Sequence, residues 1–135
     1  MSDYMLDTDV LIRCLRGFRS AVSLARDLTE EGDLHISVLS HLELLTLAKP
    51  EDEKVTSDFL GPFVLHPVSE PIAHQAAGLL KNRPDPSTGL TLSEAVIAAT
   101  AMQHGLTLVT YNTDNLKRVD QLKLHPLVSA SDEEN

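Results

Sequence analysis

Tyr4-Met5-Leu6-Asp7-Thr8-Asp9-Val10-Leu11-Ile12 is the stretch that decides the fold. Tyr4 to Leu6 is a short apolar run of the kind that forms a buried strand. It ends at a carboxylate, Asp7. Thr8 follows as a candidate N-cap, and the apolar residues beyond it take helical spacing, with Val10, Leu11, Cys14 and Leu15 on one face. A strand that stops at an acid and turns directly into a helix places that acid at the carboxyl edge of a sheet. In open α/β folds this edge is where ligands bind.

The pattern repeats outward from there. Gly17 closes the first helix, and a second runs from about Ser20 to Glu31, ending at Gly32. Leu34 to Val38 reads as a second strand. Ser37 or Ser40 caps a helix that runs through Leu47 and is stopped by Pro50. Glu51 to Leu60 reads as a short helix, Phe63 to Val68 as a third strand, and Ser69-Glu70-Pro71 as a strong start for a helix to Asn82. Arg83 to Gly89 is the most loop-like segment, with two prolines and a glycine. Leu90 to His104 is apolar on nearly all sides, which predicts a helix buried between layers. Leu106 to Thr110 is a fourth strand, Tyr111 to Asn115 a polar turn, and Lys123 to Val128 a fifth strand at the sheet edge. Residues 129–135 form an acidic tail expected to be disordered. Alternating strands and helices predict a three-layer α/β domain over residues 1–128, with a mostly parallel five-stranded sheet flanked by helices.

Composition narrows the function. The chain has 135 residues and 42% apolar content, with a mean hydropathy of -0.06. These values suit one globular domain. No apolar run approaches the roughly 20 residues a membrane span requires. Acids at Asp3, Asp7 and Asp9 do not fit a signal peptide, and the single cysteine excludes an internal disulfide. A cytoplasmic location is expected. The net charge of -9 argues against nucleic-acid binding by charge alone. It leaves open hydrolysis of nucleic acid through bound cations, which cancel local acids.

Four polar clusters fall at strand ends or helix starts: Asp7 with Asp9, Glu43, Glu94, and the Asn112–Asn115 turn. A parallel sheet brings such positions to one edge. Glu43 and Glu94 stand in otherwise apolar helices, where an isolated carboxylate costs several kcal/mol, of order 3–5 for an unpaired charge, unless paired or bound to a metal. Oxygen-only ligands favour Mg²⁺ or Mn²⁺. Each acid also has a structural reading. Asp7 can cap the first helix. Ser40-His41-Leu42-Glu43 and Thr91-Leu92-Ser93-Glu94 both fit the capping box, in which the Glu side chain serves the backbone. Asp9 reads as a cap or a supporting partner, and Asp114 and Asn115 as turn residues. The six histidines show no zinc-ligand spacing and read as structural or exposed.

Taken together, Met5–Ile12, Ile36–Leu44, Glu94–Ala101 and Gly105–Thr113 resemble the PIN-domain ribonucleases, and within them the VapC-type toxins of toxin–antitoxin pairs. The resemblance spans nearly the whole chain. It implies a PIN-like fold, a homodimer, Mg²⁺- or Mn²⁺-dependent cleavage of RNA, and a cognate VapB-like antitoxin. It assigns Asp7, Glu43 and Glu94 to the three metal-binding acids; beside them, Asp9 is a candidate supporting partner, and Thr110, Asn112 or Asp114 are candidates to position the metal's waters or the substrate. The chain departs from the family pattern in three places. Glu94 stands where Asp is usual, Asp9 where Asn is usual, and Asn112 and Asn115 where an acid is often found. Two rival readings follow from the residues. A PIN-like module with a substituted site would bind without cutting. Asp7-Thr8-Asp9-Val10 also fits the nucleophile motif of haloacid-dehalogenase-type phosphatases, with Asp7 as nucleophile, although no later Asp-Asp pair supports it.

Overall fold

The computed structural model describes residues 3–83 and 89–126. Most of the expected 83–89 loop, the end of the expected fifth strand and the acidic tail lie outside the described residues. Four parallel strands form the sheet: β1 (Tyr4–Leu6), β2 (Leu34–Ser37), β3 (Val64–His66) and β4 (Thr107–Val109), in the order β3-β2-β1-β4. β1 is central and every residue in it is buried, so it reads as a continuous apolar run rather than an alternating one. Its register pairs Met5 with His35 on one side and with Leu108 on the other.

Strand alternation divides the core in two. Met5 and Leu108 point to one face and pack with α5 (Glu70–Lys81) and α6 (Leu92–Gln103) through Ile72, Ala76, Ala95 and Ile97. Tyr4, Leu6, Ile36 and Val109 point to the other. They pack with Val10 and Leu11 of α1 (Thr8–Leu15), Leu28 of α2 (Arg19–Thr29), Leu44 of α3 (Val38–Leu47) and Leu60 of α4 (Glu53–Leu60). A three-residue 3₁₀ turn at Pro50–Asp52 leads into α4.

α6 is buried from Ala95 through Ala101, because its small side chains let it lie between α5 and the sheet. Gly105, at φ +65°, turns the chain out of α6 toward β4. Ala98 has no exposed surface. Ala98→Leu is therefore expected to cost about 1–3 kcal/mol through overpacking. A lower urea midpoint with an unchanged slope would register that cost, and an unchanged midpoint would refute it.

Two expectations need correction. The fifth strand is reduced, within the described residues, to an isolated parallel bridge between Leu108 and Leu124. Gln121, at φ +68°, bends the chain just before it, so the segment meets β4 at one residue rather than along a ladder. The first helix is capped by Asp7, not Thr8: Asp7 keeps an extended backbone and its Oδ1 accepts from the Thr8 N–H at 2.8 Å.

Candidate functional site

The sheet order places the ends of β1, β2 and β4 side by side, so the segments that follow them share one edge. Asp7 leaves β1 with its N–H donating to the Val109 carbonyl at 2.9 Å, which ties it to the end of β4. The residue is 6% exposed. Its Oδ2 accepts from the Thr110 hydroxyl at 2.7 Å while Oδ1 serves the helix cap. Both oxygens are thus engaged, as a buried carboxylate requires.

Glu43 approaches from α3. Its cap reading does not hold: Ser37, at the end of β2, caps α3 by accepting from the Leu39 N–H. Glu43 lies inside the helix, and its Oε1 accepts from the hydroxyls of Thr8 at 2.8 Å and Ser93 at 3.3 Å. Ser40 lies 2.9 Å from the same Thr8 hydroxyl. Thr8, Ser40 and Ser93 therefore knit α1, α3 and α6 around the Glu43 carboxylate. Sequence reading assigned Thr8 and Ser40 to caps and passed over Ser93. Their signal was a small hydroxyl residue within three positions of each acid.

Glu94 does close its capping box. Thr91 Oγ1 accepts from the Glu94 N–H at 3.2 Å, and Glu94 Oε1 accepts from the Thr91 N–H at 2.9 Å. Its other oxygen accepts from the Asn112 side-chain amide. Asp9 Oδ2 accepts from the Tyr111 N–H at 3.1 Å, and the Thr110 hydroxyl accepts from the Asn112 N–H at 3.0 Å. Arg13 stacks over the Tyr111 ring, 3.9 Å from its centroid. Asp114 stands apart: its side chain is 90% exposed and pairs with Lys117 at 3.5 Å.

Asp7, Asp9, Glu43, Glu94 and Asn112 line one cavity of about 290 Å³, with Thr8 and Ser93 in its wall. A model of the PIN domain family matches residues 4–122. The chain belongs to the PIN-domain family. Ribonuclease VapC10 of Mycobacterium tuberculosis is 31% identical over 119 residues, covering 88% of this chain and 90% of that protein. Among solved structures, a toxin–antitoxin complex from Klebsiella pneumoniae matches with a TM-score of 0.77 at 26% identity, over 93% of this chain and 98% of that one. VapBC2 from Rickettsia felis, bound to a DNA fragment from its promoter, matches with a TM-score of 0.78 at 22% identity, over 91% and 97%. At that identity the likeness speaks to the fold.

The acids of this PIN-domain cavity act on one another. Burial pushes the Asp7 carboxyl above its ordinary value. Hydrogen bonds from Thr110 and Thr8 oppose the rise, while Glu94 and Glu43 add to it. Asp9 is raised to about 6, first by burial and then by the charge of Asp7. Its Oδ1 is buried without a hydrogen-bond partner. An orphaned carboxylate oxygen beside three further acids leaves room for a cation, and an all-oxygen donor set suits Mg²⁺ or Mn²⁺. Among the described residues, the trio of ligating side chains drawn within 4.8 Å of one another lies elsewhere. In the cavity, both Glu94 oxygens are engaged, one by the capping box and one by Asn112.

Proposed function

We propose that this PIN-domain protein is the toxin of a VapBC-type pair and hydrolyses RNA phosphodiester bonds with the help of Mg²⁺ or Mn²⁺. The observation that carries this reading is the convergence of Asp7, Glu43 and Glu94 on one cavity at the sheet edge, with an unsatisfied oxygen of Asp9 beside them. The similarity to Ribonuclease VapC10 supports RNA as substrate. In this reading Asp7, Glu43 and Glu94 hold the metal. A bound divalent ion supplies the charge that activates water and offsets negative charge developing on the phosphoryl oxygens. The protein's own part is to fix those carboxylates. Thr110 orients Asp7, Thr8 and Ser93 orient Glu43, and Asn112 orients Glu94.

A VapB-like antitoxin is the partner in this proposal, as the toxin–antitoxin structures suggest by likeness. Leu42, Leu45 and Leu47 of α3 and Val55 of α4 are exposed. Of these, Leu47 and Val55 line a cavity of about 380 Å³ together with Ile12, Leu15 and Leu44. An apolar antitoxin segment would cover this face, and a basic side chain extended into the acidic cavity would block metal and RNA together. We further propose a homodimer in the cytoplasm; among the described residues no helix is long and apolar enough to cross a membrane.

The capping-box engagement of Glu94 specifically favours one alternative, a PIN module that binds RNA or a partner without cutting. One experiment separates the two. Untagged protein is incubated with a panel of structured RNAs in Mn²⁺, in Mg²⁺ and in EDTA. Cleavage that needs the ion is the expected result. Cleavage that persists in EDTA would overturn the metal assignment. Intact RNA in the presence of bound Mn²⁺ would establish the non-cutting module.

A further inference from the structure

A second group of ligating side chains lies at the opposite edge of the sheet from Asp7. Asp3 and Asp33 precede β1 and β2, and His35 is the second residue of β2. Their ligand atoms lie within 4.8 Å of one another. We propose that Asp3, Asp33 and His35 form a transition-metal site, separate from the acidic cavity, that takes a divalent ion such as Zn²⁺, Ni²⁺ or Co²⁺ through one imidazole nitrogen and two carboxylate oxygens.

Three features prepare the site. His35 Nε2 stands 3.4 Å from Asp3 Oδ2. Two donors on a tetrahedral ion with bonds of about 2.0–2.1 Å are separated by about 3.3 Å, so this pair already has the spacing of a coordination edge. The other Asp3 oxygen accepts from the Asp33 N–H at 3.0 Å, which fixes the carboxylate toward His35. The His35 ring is held from behind: Nδ1 lies 2.7 Å from His66 Nε2, and the two ring planes lie within 15° of each other. His66 in turn packs on His104, with centroids 4.2 Å apart. A metal-binding histidine is oriented in this way, by a partner on its other nitrogen.

The chemistry of His35 Nε2 favours a cation. The atom is buried and makes no hydrogen bond, while its side chain is 12% exposed. In the tautomer whose Nδ1 donates to His66, Nε2 turns a lone pair toward the two carboxylates, an arrangement that a bound cation would satisfy. Imidazole nitrogen selects Zn²⁺, Ni²⁺ or Co²⁺ over Mg²⁺, so the choice of ion distinguishes this site from the acidic cavity.

The test uses untagged, chelator-stripped Asp7→Asn protein, in which the acidic cavity is impaired. Co²⁺ or Ni²⁺ is titrated by calorimetry, and Co²⁺ binding is also followed by visible absorption. One equivalent should bind, with a spectrum of low-coordinate Co²⁺. Adding His35→Gln should weaken binding at least ~10-fold, as should the surface pair Asp3→Asn and Asp33→Asn, which leaves the core untouched. His66→Phe should weaken it by a similar ~10-fold through loss of ring orientation. No stoichiometric binding in the Asp7→Asn protein, or equal binding after loss of both aspartates, would overturn the proposal.

Discussion

Asp7→Asn is expected to reduce RNA cleavage at least ~100-fold, the scale set by removing one preorganised electrostatic group from a hydrolytic site. The metal-free protein should meanwhile stay as stable as the parent or become more so. The geometry explains why the two effects part. The Asn carbonyl can still accept from the Thr8 N–H, as Asp7 Oδ1 does at 2.8 Å. Its amide can donate to the Thr110 hydroxyl, which now donates to Asp7 Oδ2. That hydroxyl has Asp9 Oδ2 within 3.5 Å as a new acceptor. The network survives while a buried charge disappears from beside Glu43 and Glu94. Catalytic acids are commonly costly to the fold that carries them. Thr110→Val, which removes only the orienting hydroxyl, should cost less activity than Asp7→Asn. Two measurements decide: initial cleavage rates in Mn²⁺, and thermal unfolding in EDTA. Cleavage within ~10-fold of the parent would remove Asp7 from the mechanism.

The second large effect is on stability, through pH and metal together. Asp7 and Asp9 are both raised in the fold. Between about pH 4 and 6 the unfolded chain has released the Asp9 proton and the folded chain retains it, and the raised Asp7 acts in the same direction. Stability contributed by the protonated acids is therefore complete at the acid end and is lost as pH rises toward 6. For Asp9, a rise from 3.8 to about 6 corresponds to at most about 3 kcal/mol. A divalent cation opposes this loss because it binds the ionised carboxylates. At a hundredfold excess over its Kd, the ion adds about 2.7 kcal/mol. For a chain of this size that is a rise in Tm of about 10 °C. Thermal scans in Mg²⁺ and in EDTA should differ by that amount at pH 7.5 and by much less at pH 5, where protons compete. Asp7→Asn should abolish most of the difference. Superimposable scans at both pH values would contradict the proposed metal site.

The sequence was informative where chemistry is local. The run Tyr4–Leu6 ending at Asp7 revealed the central strand, since a buried parallel strand needs an unbroken apolar run and its edge tolerates an acid. The all-round apolar surface of α6 likewise betrayed its place between layers. What depends on tertiary approach was hidden. Ser40 and Ser37 are equally good caps on paper; the choice of Ser37 frees Ser40 to meet Thr8. The Glu43 and Glu94 boxes fit the same pattern in sequence, yet only Thr91–Glu94 closes, because Ser37 caps α3 and leaves Glu43 inside the helix, where Thr8 and Ser93 hold its carboxylate. Asp114, in the polar turn of the expected cluster, turns outward to Lys117. The chain of contacts through His35, His66 and His104 joins residues from two strands and a helix end, so no spacing rule could have announced it.

The strand order has a consequence in time. β1 is made first, yet one of its two neighbours, β4, is contributed by Thr107–Val109, and the hydroxyl that steadies Asp7 comes from a residue 103 positions later. A nascent chain can form β1, β2 and β3 with their helices while the cavity still lacks a wall. Translation through β4 and Asn112 is what completes it. In the proposed function, a nascent chain cannot cut RNA before β4 and the residues after it have been made, and that is the moment an antitoxin must be at hand.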